Sequence, residues 1–167
     1  MKIAAYGEDW EARGTKLQSI GIIVAPEIFQ LKERIYRSDG RTIMEGSRYF
    51  TWPIASDMIV NEQVPAGWRM ITPDESEAIK ARYNNSNFGL LVLGLDGFIA
   101  PNDMVAYNHY PAGGERLITR RGEAGYYWIN GHDSPLYPNI IENSGLKLRT
   151  TSFYLSYGLP LLLVKDL

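Results

Sequence analysis

The chain has 167 residues, 45% of them hydrophobic and 22% charged, with a formal net charge of −2. That length and balance describe one globular domain with a sizeable core rather than a disordered segment. The 17 basic residues are scattered among 19 acidic ones, which excludes a basic nucleic-acid footprint, and the absence of cysteine excludes disulfides, thiolate metal sites and cysteine nucleophiles.

No apolar run approaches the roughly 18 residues that a membrane span needs. The stretch Met1–Asp9 has one lysine and two acids and no apolar signal core, so no secretory signal peptide is expected. The protein is then expected to remain in the producing cell or to leave inside a particle such as a virion. Plentiful glycine, proline and tyrosine suit a turn-rich fold containing β-structure.

In chain order, residues 1–20 are mixed and polar, with Trp10 and Leu17 as the expected buried anchors. Ile20-Gly21-Ile22-Ile23-Val24 reads as a short strand ended by Pro26. Ile28, Leu31 and Ile35 then fall at helical spacing, which predicts a helix over 27–36. Ser38-Asp39-Gly40 is a turn, with a short strand leaving it over Arg41–Met44. Tyr49-Phe50-Thr51-Trp52 is aromatic and β-favouring, and the following Pro53 restricts it to a short or edge strand.

Val64–Ile79 carries the densest local signals. Pro65-Ala66-Gly67 is a turn, Thr72 is an N-cap, Pro73 suits the first helical position, and Glu75 completes a capping box. The helix is expected to end near Tyr83, before Asn84-Asn85-Ser86-Asn87. Ile79 and Tyr83, four residues apart, are expected to point toward the core. Leu90–Leu95, the Asp96-Gly97 turn and Phe98-Ile99-Ala100 together read as a hairpin. Residues 101–124 read as irregular, Gly125–Ile129 as a strand, and Asn130–Gly145 as a second irregular stretch. Leu146–Leu155 follows, and Leu159–Val164 is apolar enough for a central strand.

Trp68-Arg69-Met70-Ile71-Thr72, with Glu75, Glu77, Ala78 and Ile79, resembles a W-R-L-P-T-x-x-E-W-E-A-L signature. Phe50-x-Trp52-x-x-Ala55 is similar to a Y-x-W-x-A-A step, Gly125-Tyr126-Tyr127-Trp128 to a G-x-Y-W strand, and Leu163-Val164-Lys165-Asp166 to a closing V-R-L-V-K-D. These motifs, in that order, belong to the Fibrobacter succinogenes major paralogous domain, a bacterial family with a C-type-lectin-like fold. The sequence departs from the pattern at Ile71 for proline, Ser76 for tryptophan and Leu162 for arginine. The resemblance, which spans about residue 15 to the C-terminus, implies an α+β fold with short antiparallel strands, one or two helices and long irregular loops. The chain reads as a single domain over 1–167, in which residues 1–20 would serve as a docking arm if the protein is an assembly component. The resemblance also implies extended chain where periodicity predicts the 27–36 helix, so that segment stays open. Trp52, Trp68, Arg69, Thr72, Glu75 and Trp128 are its structural signature.

Formylglycine-generating enzymes share a similar helix-entry stretch, but their chemistry needs cysteine thiolates, and this chain has none. The acid-Pro-amide and Trp-Asn-Asp clusters of calcium-dependent lectins have no full counterpart. Asn102, Asp103, Asp133, Glu142 and Asn143 carry oxygens suited to a hard cation, yet loop polarity accounts for them. His132-Asp133-Ser134 holds the ingredients of a nucleophilic triad, but neighbours in sequence do not converge as a triad requires. A histidine metal site would need both His109 and His132 with carboxylates. Gly113-Gly114 lacks the Lys-Ser/Thr context of a phosphate loop. Neither catalysis, nor a metal, nor a cofactor is therefore expected.

Binding is the stronger expectation. Tyr107, Asn108, His109, Tyr110, Asn130, His132, Tyr137 and Asn139 give the stretches 101–145 the aromatic and amide content of a contact surface. Phage and bacterial proteins of this fold diversified by retroelements carry such residues in their binding face. The expected function is a non-enzymatic binding module on a phage virion, as fibre, decoration or receptor-binding subunit. Its partners would be a surface glycan or protein receptor and other virion proteins, in a homo-oligomer or larger assembly. The alternatives are a purely structural capsid or tail protein, and a bacterial cell-surface adhesin-like domain.

Overall fold

The computed structural model describes residues 10–25, 35–36, 42–43, 49–61, 64–83, 93–104 and 117–167. Among these the protein is a mixed α+β structure built from small antiparallel sheets and few helices. A short helix α1 (Trp10–Arg13) leads into strands β1 (Thr15–Leu17) and β2 (Ile22–Val24), then β3 (Ile35–Tyr36) and β4 (Thr42–Ile43). Helix α2 (Trp52–Val60), strand β5 (Arg69–Met70) and helix α3 (Pro73–Tyr83) follow. The C-terminal half holds β6 (Phe98–Ile99), β7 (Ile118–Thr119), β8 (Gly125–Ser134), β9 (Tyr137–Asn143), β10 (Leu148–Ser152) and β11 (Leu163–Asp166).

Two sheets carry the architecture. In the four-stranded sheet, ordered β1-β2-β11-β5, the last strand lies between β2 and β5. In the three-stranded sheet, β9 lies between β8 and β10. Both sheets are apolar on their two faces. Ile23, Met70, Leu163, Tyr126, Trp128 and Ile140 face one core cluster with Trp10, Phe50, Ile54, Met58 and Trp68. Ile22, Val24, Val164, Tyr127, Ile129 and Ile141 face a second with Leu17, Ile71, Ile79 and Leu148. Two-sided burial explains why Ile22-Ile23-Val24 and Tyr126–Ile129 are unbroken apolar runs instead of alternating ones.

The segment Val64–Ile79 folds as its local signals dictate. The backbone N–H of Glu75 donates to Thr72 Oγ1 at 3.2 Å, and the Thr72 N–H returns a bond to Glu75 Oε1 at 3.0 Å. Both halves of the capping box are therefore made. Arg69 donates to both Glu75 carboxylate oxygens at 2.8 Å, and from Nη2 to Asp166 Oδ1 at 2.8 Å. Trp68 is buried and meets Trp10 edge-on, with ring centroids 5.1 Å apart. Two residues that differ from the resembling signature make local contacts of their own. The Ile71 N–H donates to Leu162 O at 3.3 Å, a bond proline cannot make. Ser76 is fully buried, and its hydroxyl donates to Pro73 O at 2.7 Å.

Several expectations are corrected. Tyr49–Trp52 is not a strand beyond a single bridge from Phe50 to Leu159. Trp52 and Pro53 open α2, where Pro53 lacks only an N–H that a first helical turn leaves unbonded. Ile54, Ala55 and Met58 form the buried stripe of that helix. Phe98–Ile99 pairs with β7; of the preceding apolar run, residues 93–95 form no named strand and 90–92 lie outside the described residues. The stretch Asn130–Gly145 is not irregular, because β8 and β9 run through it as one hairpin. The residues 101–124 include a helical turn at 101–104 and β7.

The 27–36 segment lies outside the described residues except for Ile35–Tyr36, which pairs antiparallel with Thr42–Ile43. The side chain of Tyr83 and residues 84–92 also lie outside them. Of the segment expected as a docking arm, residues 10–20 are built into the fold, with Trp10 and Leu17 buried.

Two outcomes follow for stability. The Arg69 guanidinium and the Thr72 N–H lower the Glu75 carboxyl from its ordinary value of 4.5 to about 2. A depressed carboxylate contributes stability that is complete above the unfolded value and is lost as pH falls through the folded one. The urea midpoint is therefore expected to fall between about pH 4.5 and 2, and Glu75→Gln to flatten that slope while costing about 1–2 kcal/mol at pH 7. An equally steep acid limb in the variant would assign the loss to other groups. Trp128 is fully buried and its indole N–H donates to Phe50 O at 2.7 Å. Trp128→Phe is expected to cost about 2 kcal/mol in chemical denaturation, from the lost bond and the space left.

Candidate functional site

The β8–β9 hairpin changes character along its length. Over Tyr126–Ile129 both faces are covered, and the strand pairs regularly as Tyr126 with Glu142, Tyr127 with Ile141 and Trp128 with Ile140. The Asn130 N–H still donates to Ile71 O at 2.9 Å. At Gly131 the backbone turns to φ 109°, and the register shifts between Trp128 and His132. A Cβ at Gly131 would come within 3.3 Å of Pro73 Cγ at the start of α3 and 3.4 Å of Asn139 Nδ2. Glycine there lets the hairpin cross the helix start closely and adopt a backbone that other residues disfavour.

Beyond that bulge the hairpin emerges into solvent. Leu136 at the turn is 52% exposed, Tyr137 48% and Tyr154 39%. The Tyr137 and Tyr154 rings lie 5.8 Å apart at a 55° tilt. The tip is strapped by the following chain, since the Leu155 N–H donates to Leu136 O at 3.0 Å and the Phe153 N–H to Pro138 O at 3.2 Å. Two backbone bonds and a ring pair thus hold an apolar and aromatic surface on a rigid support.

Of the expected binding residues, Asn130, His132, Tyr137 and Asn139 all fall on this hairpin. Asn130, His132 and Tyr137 are exposed and Asn139 is half-buried. Tyr107, Asn108, His109 and Tyr110 lie outside the described residues, as do Gly113 and Gly114. The structure adds Leu136 and Tyr154, which the sequence reading missed. Leu136-Tyr137 between Pro135 and Pro138 is an apolar pair in a polar stretch, a signal for the first. The pairing of Tyr154 with Tyr137 is set by the β9–β10 connection and has no local signature.

The other candidate chemistries meet specific obstacles. His132, Asp133 and Ser134 are consecutive along β8 and do not converge from separate elements. Glu142 is held by Arg149, from Nε at 2.6 Å and Nη2 at 3.3 Å. Asn143 donates to Leu93 O at 2.7 Å and accepts from the Gly145 N–H at 3.0 Å. Asn102 and Asp103 sit on the helical turn at 101–104. Among the described residues no three His, Cys, Asp or Glu side chains cluster as metal ligands do.

A second, polar arrangement stands at the opposite end of β8. The buried Tyr126 hydroxyl accepts from Arg120 Nη1 at 2.8 Å and lies against the Glu142 carboxylate. Burial, and then the Glu142 charge, raise the Tyr126 hydroxyl above its ordinary value of 10.0. Phe98, Phe153 and Tyr157, all half-buried, pack beside Tyr126 with centroid distances from 5.0 to 5.6 Å.

Compared with protein-family models, with curated proteins and with solved structures, the chain finds no match in any of the three.

Proposed function

We propose that this chain is a non-enzymatic binding module of C-type-lectin-like architecture, which contacts a surface glycan or protein receptor through the outer half of its β8–β9 hairpin. The observation that carries the reading is the strapped tip, where Leu136, Tyr137 and Tyr154 are all at least 39% exposed on well-anchored backbone. Large aromatics held in fixed positions supply contact area at little entropic cost, and the neighbouring Asn130, His132 and Asn139 supply hydrogen bonds. The contact surface is thereby narrower than the whole of 101–145, because Tyr126–Ile129 and Ile140–Asn143 are core.

The architecture is supported by where the resembling motifs fall. Trp68-Arg69 ends at β5, Thr72 caps α3, Gly125-Tyr126-Tyr127-Trp128 opens β8, and Leu163-Val164-Lys165-Asp166 is β11. The setting proposed with it, a fibre, decoration or receptor-binding subunit on a phage virion, rests on the reading of the sequence and not on the geometry.

Printed glycan arrays and adsorption to intact bacterial cells test the reading. The wild-type protein is expected to bind in one of the two formats. Tyr137→Ala and Tyr154→Ala are each expected to weaken that binding about tenfold or more, while the melting temperature shifts by only a few degrees as for other surface changes. Absence of binding in both formats, or binding untouched by both substitutions, would overturn it.

A further inference from the structure

Arg120 is the one non-glycine residue with positive φ among the described residues, at 60°. A left-handed backbone disfavours any residue with a Cβ, and arginine gains nothing there from its own backbone. Glycine would serve this turn better, as Gly122 does two residues on with φ 82°. What arginine adds is its side chain. The guanidinium lies 6.0 Å from the Tyr126 ring centroid, and Nη1 donates to the Tyr126 hydroxyl at 2.8 Å. Half of the side chain, 49%, remains exposed.

A second arginine approaches from the other side of the same sheet row. Tyr126 of β8 stands directly opposite Glu142 of β9, and Glu142 directly opposite Arg149 of β10. Glu142 is buried, with 10% side-chain exposure, and grips Arg149 through Nε and Nη2. Arg149 itself is 64% exposed. The buried carboxylate and phenol therefore orient two arginines whose outer edges face solvent. Arg120 Nη2 and Arg149 Nη1 make no hydrogen bond among the described residues. Beside them Phe153, the residue that follows β10, and its neighbours Phe98 and Tyr157 are half-buried rings.

We infer that Arg120 and Arg149, set by Tyr126 and Glu142 at the rim of the Phe98–Phe153–Tyr157 cluster, form a recognition site for a carboxylate-bearing sugar. Planar guanidinium groups match a carboxylate better than an ammonium does. The half-buried rings leave part of their surface for the apolar face of a sugar ring to lie on. Glu123, 3.7 Å from Arg120 Nε, and Glu142 each lower the positive potential of the arginine beside them. The site consequently favours a singly charged group over a more highly charged phosphate. None of its residues belongs to the hairpin surface of Leu136, Tyr137 and Tyr154, so each surface is tested without the other.

The test is a titration of the full chain with glucuronate and with N-acetylneuraminate, followed by the arginine Nε–Hε resonances and by calorimetry. Glucose and inorganic phosphate serve as neutral and purely ionic probes. Saturable shifts of Arg120 and Arg149 with at least one acidic sugar are expected, weakening as salt rises. Arg120→Lys, which keeps the charge and loses the fork, and Arg149→Ala are each expected to reduce affinity about tenfold or more. Arg120→Gly relieves the backbone, so it is expected to abolish binding while leaving the melting temperature within a few degrees of wild type. Three results would each overturn the assignment: no shift of either arginine with the acidic sugars, equal affinity for phosphate, or full affinity in Arg120→Lys.

Discussion

The structure depends on one guanidinium. Arg69 opens β5, takes the Glu75 carboxylate with both arms of its fork, and reaches Asp166 on β11. Glu75 is at the same time the returning half of the capping box, so a single carboxylate closes the N-terminus of α3 and orients Arg69. The fork joins the helix, its preceding strand and the final strand of the chain at one point. Glu75 is mostly covered, with 16% side-chain exposure, whereas Asp166 is 77% exposed. The inner contact is therefore the one with energetic weight, and the outer one adds direction. Lys165, the neighbour of Asp166, reaches in turn to Glu11 in α1, which ties the first described element to the last strand.

From that node the layers follow. β11 can pair with both β2 and β5 because α3 begins immediately beyond β5 and leaves the edge of the strand clear. Its neighbours Leu161 and Leu162 extend the sheet toward β8, where the Trp128 N–H donates to Pro160 O at 3.0 Å and Trp128 bridges to Leu161 in parallel. The indole of Trp128 crosses to Phe50 O and pins the entry to α2. One buried tryptophan thus connects the second sheet, the penultimate segment and a helix start, with a Trp52 ring edge-on at 5.6 Å above it.

Legibility in the sequence tracks the range of the interactions. Thr72-Pro73-Asp74-Glu75 specifies a helix start within four residues, so the start of α3 at Pro73 was readable. Gly125–Ile129 was readable because an apolar run ending in Trp and Ile suits a buried strand. α2 was not, since Pro53 ends a strand and opens a helix equally well, and only the covering of Ile54, Ala55 and Met58 decides between them. The Phe98–Ile99 partner was hidden for a different reason. Its mate Ile118–Thr119 is set by a turn in which a Cβ on Gly97 would fall 2.2 Å from Thr119 O. The hairpin beyond Trp128 was hidden by its own bulge, which removes the period-two alternation that marks strands. At the candidate site, Asn130, His132 and Tyr137 were legible as polar or amphipathic residues in a glycine- and proline-rich stretch. Tyr154 was not, because it belongs to the surface only through β10.

The same change of cover that hid the hairpin locates the surface. Tyr126-Tyr127-Trp128-Ile129 is apolar on both faces because two core clusters enclose it. Asn130-Gly131-His132 then turns polar within a single strand. A strand needs no composition change to continue pairing, and β8 goes on pairing with Pro138 and Tyr137. The change therefore marks the point where the core ends and not where the strand does. Residues beyond it inherit the rigidity of a two-sided sheet without its burial. Among those residues, polar side chains need no further explanation, since solvent accounts for them. Leu136, Tyr137 and Tyr154 do, because an exposed apolar cluster on rigid backbone loses free energy in water unless something else covers it. That difference is why the functional weight falls on the three apolar residues, with the amides and the histidine around them as the polar rim.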